Sequence, residues 1–96
     1  MSKFQLIAAG DGRFELTGDM SFDTADAILL ESTRSFAGHA AVDVNFARVE
    51  KADSAGLALL LEWKSWQRQG RCRVNFSNIP ESVLAIARTT QVEHLF

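Results

Sequence analysis

The segment Asp53-Ser54-Ala55-Gly56-Leu57-Ala58-Leu59-Leu60-Leu61 decides how this chain folds. It follows a polar connection, Arg48 to Lys51, and contains the leucine-rich apolar run Leu57 to Leu61. A small polar residue at such a junction caps a helix, because its oxygen accepts an orphan backbone N–H of the first turn. Either Asp53 or Ser54 can fill that role. Ser54 can also stand at the surface, where a partner or a modifying enzyme would reach it. Cap and contact are the two readings that the remaining sequence has to arbitrate.

Downstream, the spacing predicts a helix from about Ser54 to Gln69, stopped by Gly70 at a position just past the helix end. Its apolar surface is wide. Leu57, Leu60, Leu61 and the stem of Lys64 form one stripe, and Leu59, Trp63 and Trp66 form another beside it. One stripe is enough to dock a helix on a sheet. The second is either an unusually wide core face or an apolar patch for a partner. Aromatic residues at helical spacing mostly pack inward, which favours the core.

Upstream, Ala41-Val42-Asp43-Val44-Asn45-Phe46 alternates apolar and polar residues and reads as a central strand, with Asp43 and Asn45 on one face. Before it, Ala25, Ile28, Leu29 and Phe36 share the face of a helix from about Asp23 to Phe36, capped by Ser21 or Asp23 and ended by Gly38. Phe4 to Ala8 and Arg13 to Thr17 read as two strands of a hairpin turned at Gly10-Asp11-Gly12, with Gly18-Asp19-Met20 breaking the second. After Gly70, Arg71 to Phe76 is a further strand that turns Cys72, Val74 and Phe76 to one side. Pro80 then opens a last helix, Glu81 to Thr90, and Val92, Leu95 and Phe96 return over the edge of the domain. The order β-β-α-β-α-β-α implies an α/β fold: a small mixed sheet of about four strands packed with three helices, in one domain spanning residues 1–96.

Composition narrows the class of function. Ninety-six residues with 47% hydrophobic and 23% charged side chains suit one small globular domain. A net charge of -2 without a long basic stripe argues against nucleic-acid binding. Lys64, Arg68, Arg71 and Arg73 cluster at one helix end, where cations are favoured in any case. No secretory pattern opens the sequence, and no run approaches the ~20 apolar residues that span a bilayer. The lone Cys72 has no disulfide partner within the chain, in keeping with a reducing compartment, so a cytoplasmic location is expected.

Chemistry finds little purchase. Ser54 lies outside any Gly-x-Ser-x-Gly elbow, and His39 and His94 belong to no nucleophile motif. The glycines at 10, 12 and 18 make neither a dinucleotide fingerprint nor a phosphate loop. Asp43, Glu50 and Asp53 have no spacing that demands acid–base work, and His39 has no second ligand at a metal-like spacing. No catalytic residue, metal or cofactor is assigned.

From Val42-Asp43-Val44 through Asp53-Ser54-Ala55-Gly56-Leu57 the chain resembles a STAS domain: a hydrophobic strand carrying Asp, a short connection, then Asp-Ser/Thr-x-Gly-Leu opening a helix. Gly18-Asp19-Met20, Gly70, Val74-Asn75-Phe76 and Asn78-Ile79-Pro80 agree with it, so the resemblance covers nearly the whole chain. It implies a non-enzymatic binding module. In the anti-sigma factor antagonists of that family, the serine matching Ser54 is phosphorylated to switch partner binding. In the MlaB-like branch, which the run Gly56-Leu57-Ala58-Leu59-Leu60-Leu61 favours, the domain binds the cytoplasmic ATPase of an ABC transporter that moves phospholipid between the membranes of Gram-negative bacteria. That transporter also contains permease and lipid-binding subunits. The resemblance thus implies a partner surface at Asp53, Ser54, Ala55 and Gly56, with Leu59, Trp63 and Trp66 as apolar anchors and no insertion into the membrane.

Overall fold

Strands form where apolar residues alternate, and the alternation runs further than the turn signals suggest. The computed structural model describes residues 3–96. A hairpin, β1 (Phe4–Gly10) and β2 (Arg13–Met20), leads to α1 (Ala25–Ser35), β3 (Ala41–Ala52), α2 (Ser54–Arg68), β4 (Arg73–Ser77) and α3 (Glu81–Thr89). A short 3-10 turn, Glu93–Leu95, closes the described chain. The sheet has the order β1-β2-β3-β4. β1 and β2 pair antiparallel, whereas β2–β3 and β3–β4 are parallel. The mixed four-stranded sheet with three helices is the architecture expected from the sequence.

The hairpin turn uses two residues in the left-handed region, Asp11 at φ 55° and Gly12 at φ 76°. Such a pair matches the right-handed twist of the flanking strands. Gly18 does not break β2. It sits at φ 85°, and a Cβ there would lie 2.3 Å from the Lys3 carbonyl oxygen, so glycine lets β1 and β2 approach. The strand therefore continues to Met20.

Arg48 to Lys51 likewise belong to β3 rather than to a connection. Their polar character reflects exposure and two register shifts against β2, between Glu15 and Thr17 and between Gly18 and Asp19. At the first shift the Asn45 side-chain oxygen accepts the Ala47 N–H at 2.9 Å and the Asn78 amide at 3.0 Å. One polar side chain thus supports the irregular strand and the β4–α3 connection together. At the other boundaries, β4 starts at Arg73, two residues after the position expected, and α1 starts at Ala25.

Phe14, Leu16, Val42, Val44, Phe46 and Val74 are buried on the helix-covered face of the sheet. Asp43, Asn45, Glu15, Thr17 and Asn75 lie on the other face, exposed or half-buried. Ile28 of α1, Phe36 at its C-cap, and Val83 and Ala87 of α3 complete the core.

Both stripes of α2 turn inward. Leu57 and Leu60 are buried, and so are Leu59, Trp63 and Trp66 of the second stripe. Trp63 is fully buried and donates its indole N–H to Ser32 Oγ at 3.0 Å. Its ring lies among Phe36, Phe46 and Phe76, with centroids 6.0–6.2 Å away. The basic cluster at the far end of α2 roofs these aromatics. The Arg71 guanidinium stacks 4.0 Å above the Trp66 ring, and the Lys64 ammonium lies 4.9 Å from the centre of Phe76. Burial pushes the Lys64 ammonium pKa down, and nearby Arg73 adds to the effect.

Candidate functional site

The start of α2 is organised by Asp53. Its backbone is extended, and one carboxylate oxygen accepts the Ala55 N–H at 2.9 Å, capping the helix. The other accepts the Phe22 N–H at 3.2 Å, tying the β2–α1 connection to the head of α2. Of the two candidate caps, Asp53 takes the role. The Ser54 side chain is left exposed in the first turn.

Gly56 brings that end of α2 against the sheet and α3. A Cβ at this position would meet the Met20 methyl at 2.9 Å, Val83 Cγ2 at 3.3 Å and the Met20 carbonyl oxygen at 3.4 Å. Ala55 is buried as well. These two residues pack closely and so fix where Ser54 stands. Neither expected cap serves α1: its N-cap position is Thr24, without a side-chain cap bond. Asp23 instead pairs with Lys3 at 3.3 Å. The Thr24 hydroxyl accepts the Ser21 N–H at 3.0 Å and donates to the Asp19 carbonyl at 3.1 Å, fixing the turn that presents Phe22.

Phe22 is 75% exposed, the most exposed of the large apolar side chains among the described residues. It closes one end of an open groove of about 550 Å³ between α1 and α2. Ala25 and Leu29 form one wall, and Ala55, Ala58 and Leu59 form the other; Ser54, Asp26 and Glu62 stand at its edge. Of the residues expected to meet a partner, the structure brings Ser54, Ala55 and Leu59 to this groove. Trp63 and Trp66 are withdrawn, which corrects their assignment as apolar anchors: their rings fill the space between helices and sheet, and Trp66 keeps only 3% exposure. The exposed aromatic is Phe22. Its signal was an apolar ring inside the polar run Ser21-Phe22-Asp23-Thr24, where no periodic core face accounts for it.

No histidine lines the groove beside Ser54. His39 packs edge-on against Phe14 at the opposite end of the sheet, with ring centroids 5.8 Å apart. Among the described residues no group of three or more His, Cys, Asp and Glu is arranged to hold a metal ion, and no helix is long and apolar enough to cross a membrane.

A family model described as "Mlab, STAS domain" matches residues 6–96. The chain belongs to the STAS-domain family. Solved structures share the fold. The anti-sigma factor antagonist SpoIIAA in its unphosphorylated form superposes with a TM-score of 0.64 at 21% identity, covering 96% of this chain and 84% of that one. A sulfate transporter family protein from Wolinella succinogenes gives a TM-score of 0.63 at 17% identity, covering 96% of this chain and 76% of that one. The protein named Mglu gives 0.56 at 31% identity over 80% of this chain; the match spans 19% of Mglu. No curated protein sequence matches. In this STAS domain, the head of α2 is the conjunction of cap, exposed hydroxyl and open groove described above.

Proposed function

We propose that this STAS domain is a non-enzymatic regulatory subunit that binds the cytoplasmic ATPase of an ABC transporter for phospholipid. The proposed place of action is the cytoplasmic side of the inner membrane, reached through that complex. The observation that carries this reading is the head of α2: Ser54 exposed in the first turn, next to exposed Phe22 and an open groove with an apolar lining. A hydroxyl beside an apolar groove offers a polar contact of fixed direction and a surface to desolvate, the combination a protein interface uses. The family match, described in terms of Mlab, supports the choice of partner.

Co-purification with the ABC ATPase, combined with the rate of ATP hydrolysis, tests the reading. Ser54→Arg, which places a long cation in the groove mouth, is expected to weaken association at least tenfold and to change the ATPase rate in parallel. Association and rate unaltered by Ser54→Arg would sink the assignment of this surface.

A second reading, phosphorylation of Ser54 by a kinase-like anti-sigma factor, draws on the same exposed hydroxyl at the positive end of α2. Intact mass after incubation with the cognate kinase and ATP separates the two. A mass increase confined to Ser54 supports the switch, and an unmodified chain opposes it.

A further inference from the structure

The chemistry of the groove restricts what can occupy it. Its walls are two helices, which offer no strand edge for an extended peptide to pair with. An occupant has to arrive with its own backbone satisfied. Between Ser54 and Glu62 the α2 wall runs about 12 Å at the rise of a helix, roughly two turns of an incoming helix. The lining is apolar through Leu29, Ala58 and Leu59. The ionisable residues lining the groove are both acids, Asp26 on α1 and Glu62 on α2. Both are exposed, and neither forms an ion pair among the described residues. Asp23 beyond the Phe22 end is already paired with Lys3.

We infer that the α1–α2 groove accepts an amphipathic helix of a protein partner whose apolar ridge is flanked by Lys or Arg, with Asp26 and Glu62 selecting the basic flanks. The inference deepens the reading of this face as a docking surface and rests on it. Small Ala58 lets the ridge descend to Leu59, while Phe22 covers one end of the incoming helix. Exposed charge pairs of this kind steer and select more than they bind, so their signature is discrimination between partners that fades with salt. An anionic membrane surface is disfavoured by the same two carboxylates.

The test uses two fluorescein-labelled helical peptides with one shared Leu/Ala ridge, flanked in one by Lys and in the other by Glu. The wild-type chain is expected to bind the Lys-flanked peptide roughly tenfold more tightly at low salt, with the difference shrinking in about 0.5 M salt. The double variant Asp26→Lys/Glu62→Lys is expected to reverse the preference, and Ala58→Arg to abolish binding of both. Equal affinity for the two peptides, no binding of the Lys-flanked one, or a preference unchanged in the double variant would each overturn the inference. So would sedimentation with phosphatidylglycerol-containing vesicles that Ala58→Arg abolishes, or self-association lost in that variant, since these name a lipid surface or a second copy as the occupant. Association with the ABC ATPase, measured alongside, keeps the two readings separable. If charge selectivity fails while Ser54→Arg still releases the ATPase, the docking face stands and only the nature of the occupant falls.

Discussion

Asp53 joins two functions that a sequence reading separates, because one carboxylate both caps α2 and holds Phe22 in place. Asp53→Ala removes both acceptors at once. Loss of the cap is expected to cost about 1–2 kcal/mol, read as a lower urea midpoint at unchanged slope. Asp53→Asn keeps an oxygen acceptor and is expected to retain most of that stability. A wild-type midpoint in Asp53→Ala would show that the cap contributes nothing. Cys72 illustrates a different residue-level effect. Burial pushes its thiol pKa up, against opposing contributions from the Arg71 charge and a backbone hydrogen bond at Val42. The folded state therefore favours the neutral thiol. Its contribution to stability is fully present below the unfolded thiol pKa, about 8.5, and is lost as pH rises through the folded value. Native Cys72 is expected to alkylate with iodoacetamide more slowly than the urea-unfolded chain at pH 8, and equal rates would contradict that.

At the scale of elements, the contact between α2, β2 and α3 turns on Gly56. Replacing glycine by alanine within a helix gains up to about 1 kcal/mol in propensity, and the closest atom an added methyl meets is the mobile end of Met20. Gly56→Ala is expected to change stability by less than about 1 kcal/mol. Gly56→Val, whose branches have to displace Val83 as well, is expected to lose about 1–3 kcal/mol by overpacking. Thermal unfolding of the two variants reads this directly; equal midpoints would mean the approach is looser than described. The element order was legible because period-two and helical patterns alternate with clear stops at Gly38 and Gly70. The second half of β3 was not, because exposed Arg48, Glu50 and Lys51 and two register shifts disguise a strand as a polar connection. Gly18 misled for a related reason: it reads as a breaker, yet its missing side chain is what lets the hairpin strands meet. The site shows the same division. Asp53 and Ser54 were legible from their place before an apolar run, whereas Phe22 sits 31 residues away along the chain from the Asp53 that fixes it.

Across the whole molecule, the sheet separates two surfaces of different character. One face is packed against helices; the other carries Glu15, Thr17, Asp43, Asn45 and Asn75 toward solvent. The wide apolar surface of α2 is consumed in joining α1, the sheet and α3, so its tryptophans measure integrity of the core rather than occupancy of an interface. On the helical side the edge of the layer stays open, where Phe22, Ser54 and the α1–α2 groove adjoin. A partner docking in that groove approaches from the helical side. Hydrogen–deuterium exchange of the chain, alone and bound to the ABC ATPase, tests that approach most directly. Slowed exchange confined to residues 22–30 and 54–62 is the predicted result. Protection confined to β1 and the solvent-facing side of the sheet, with the heads of α1 and α2 unchanged, would contradict it.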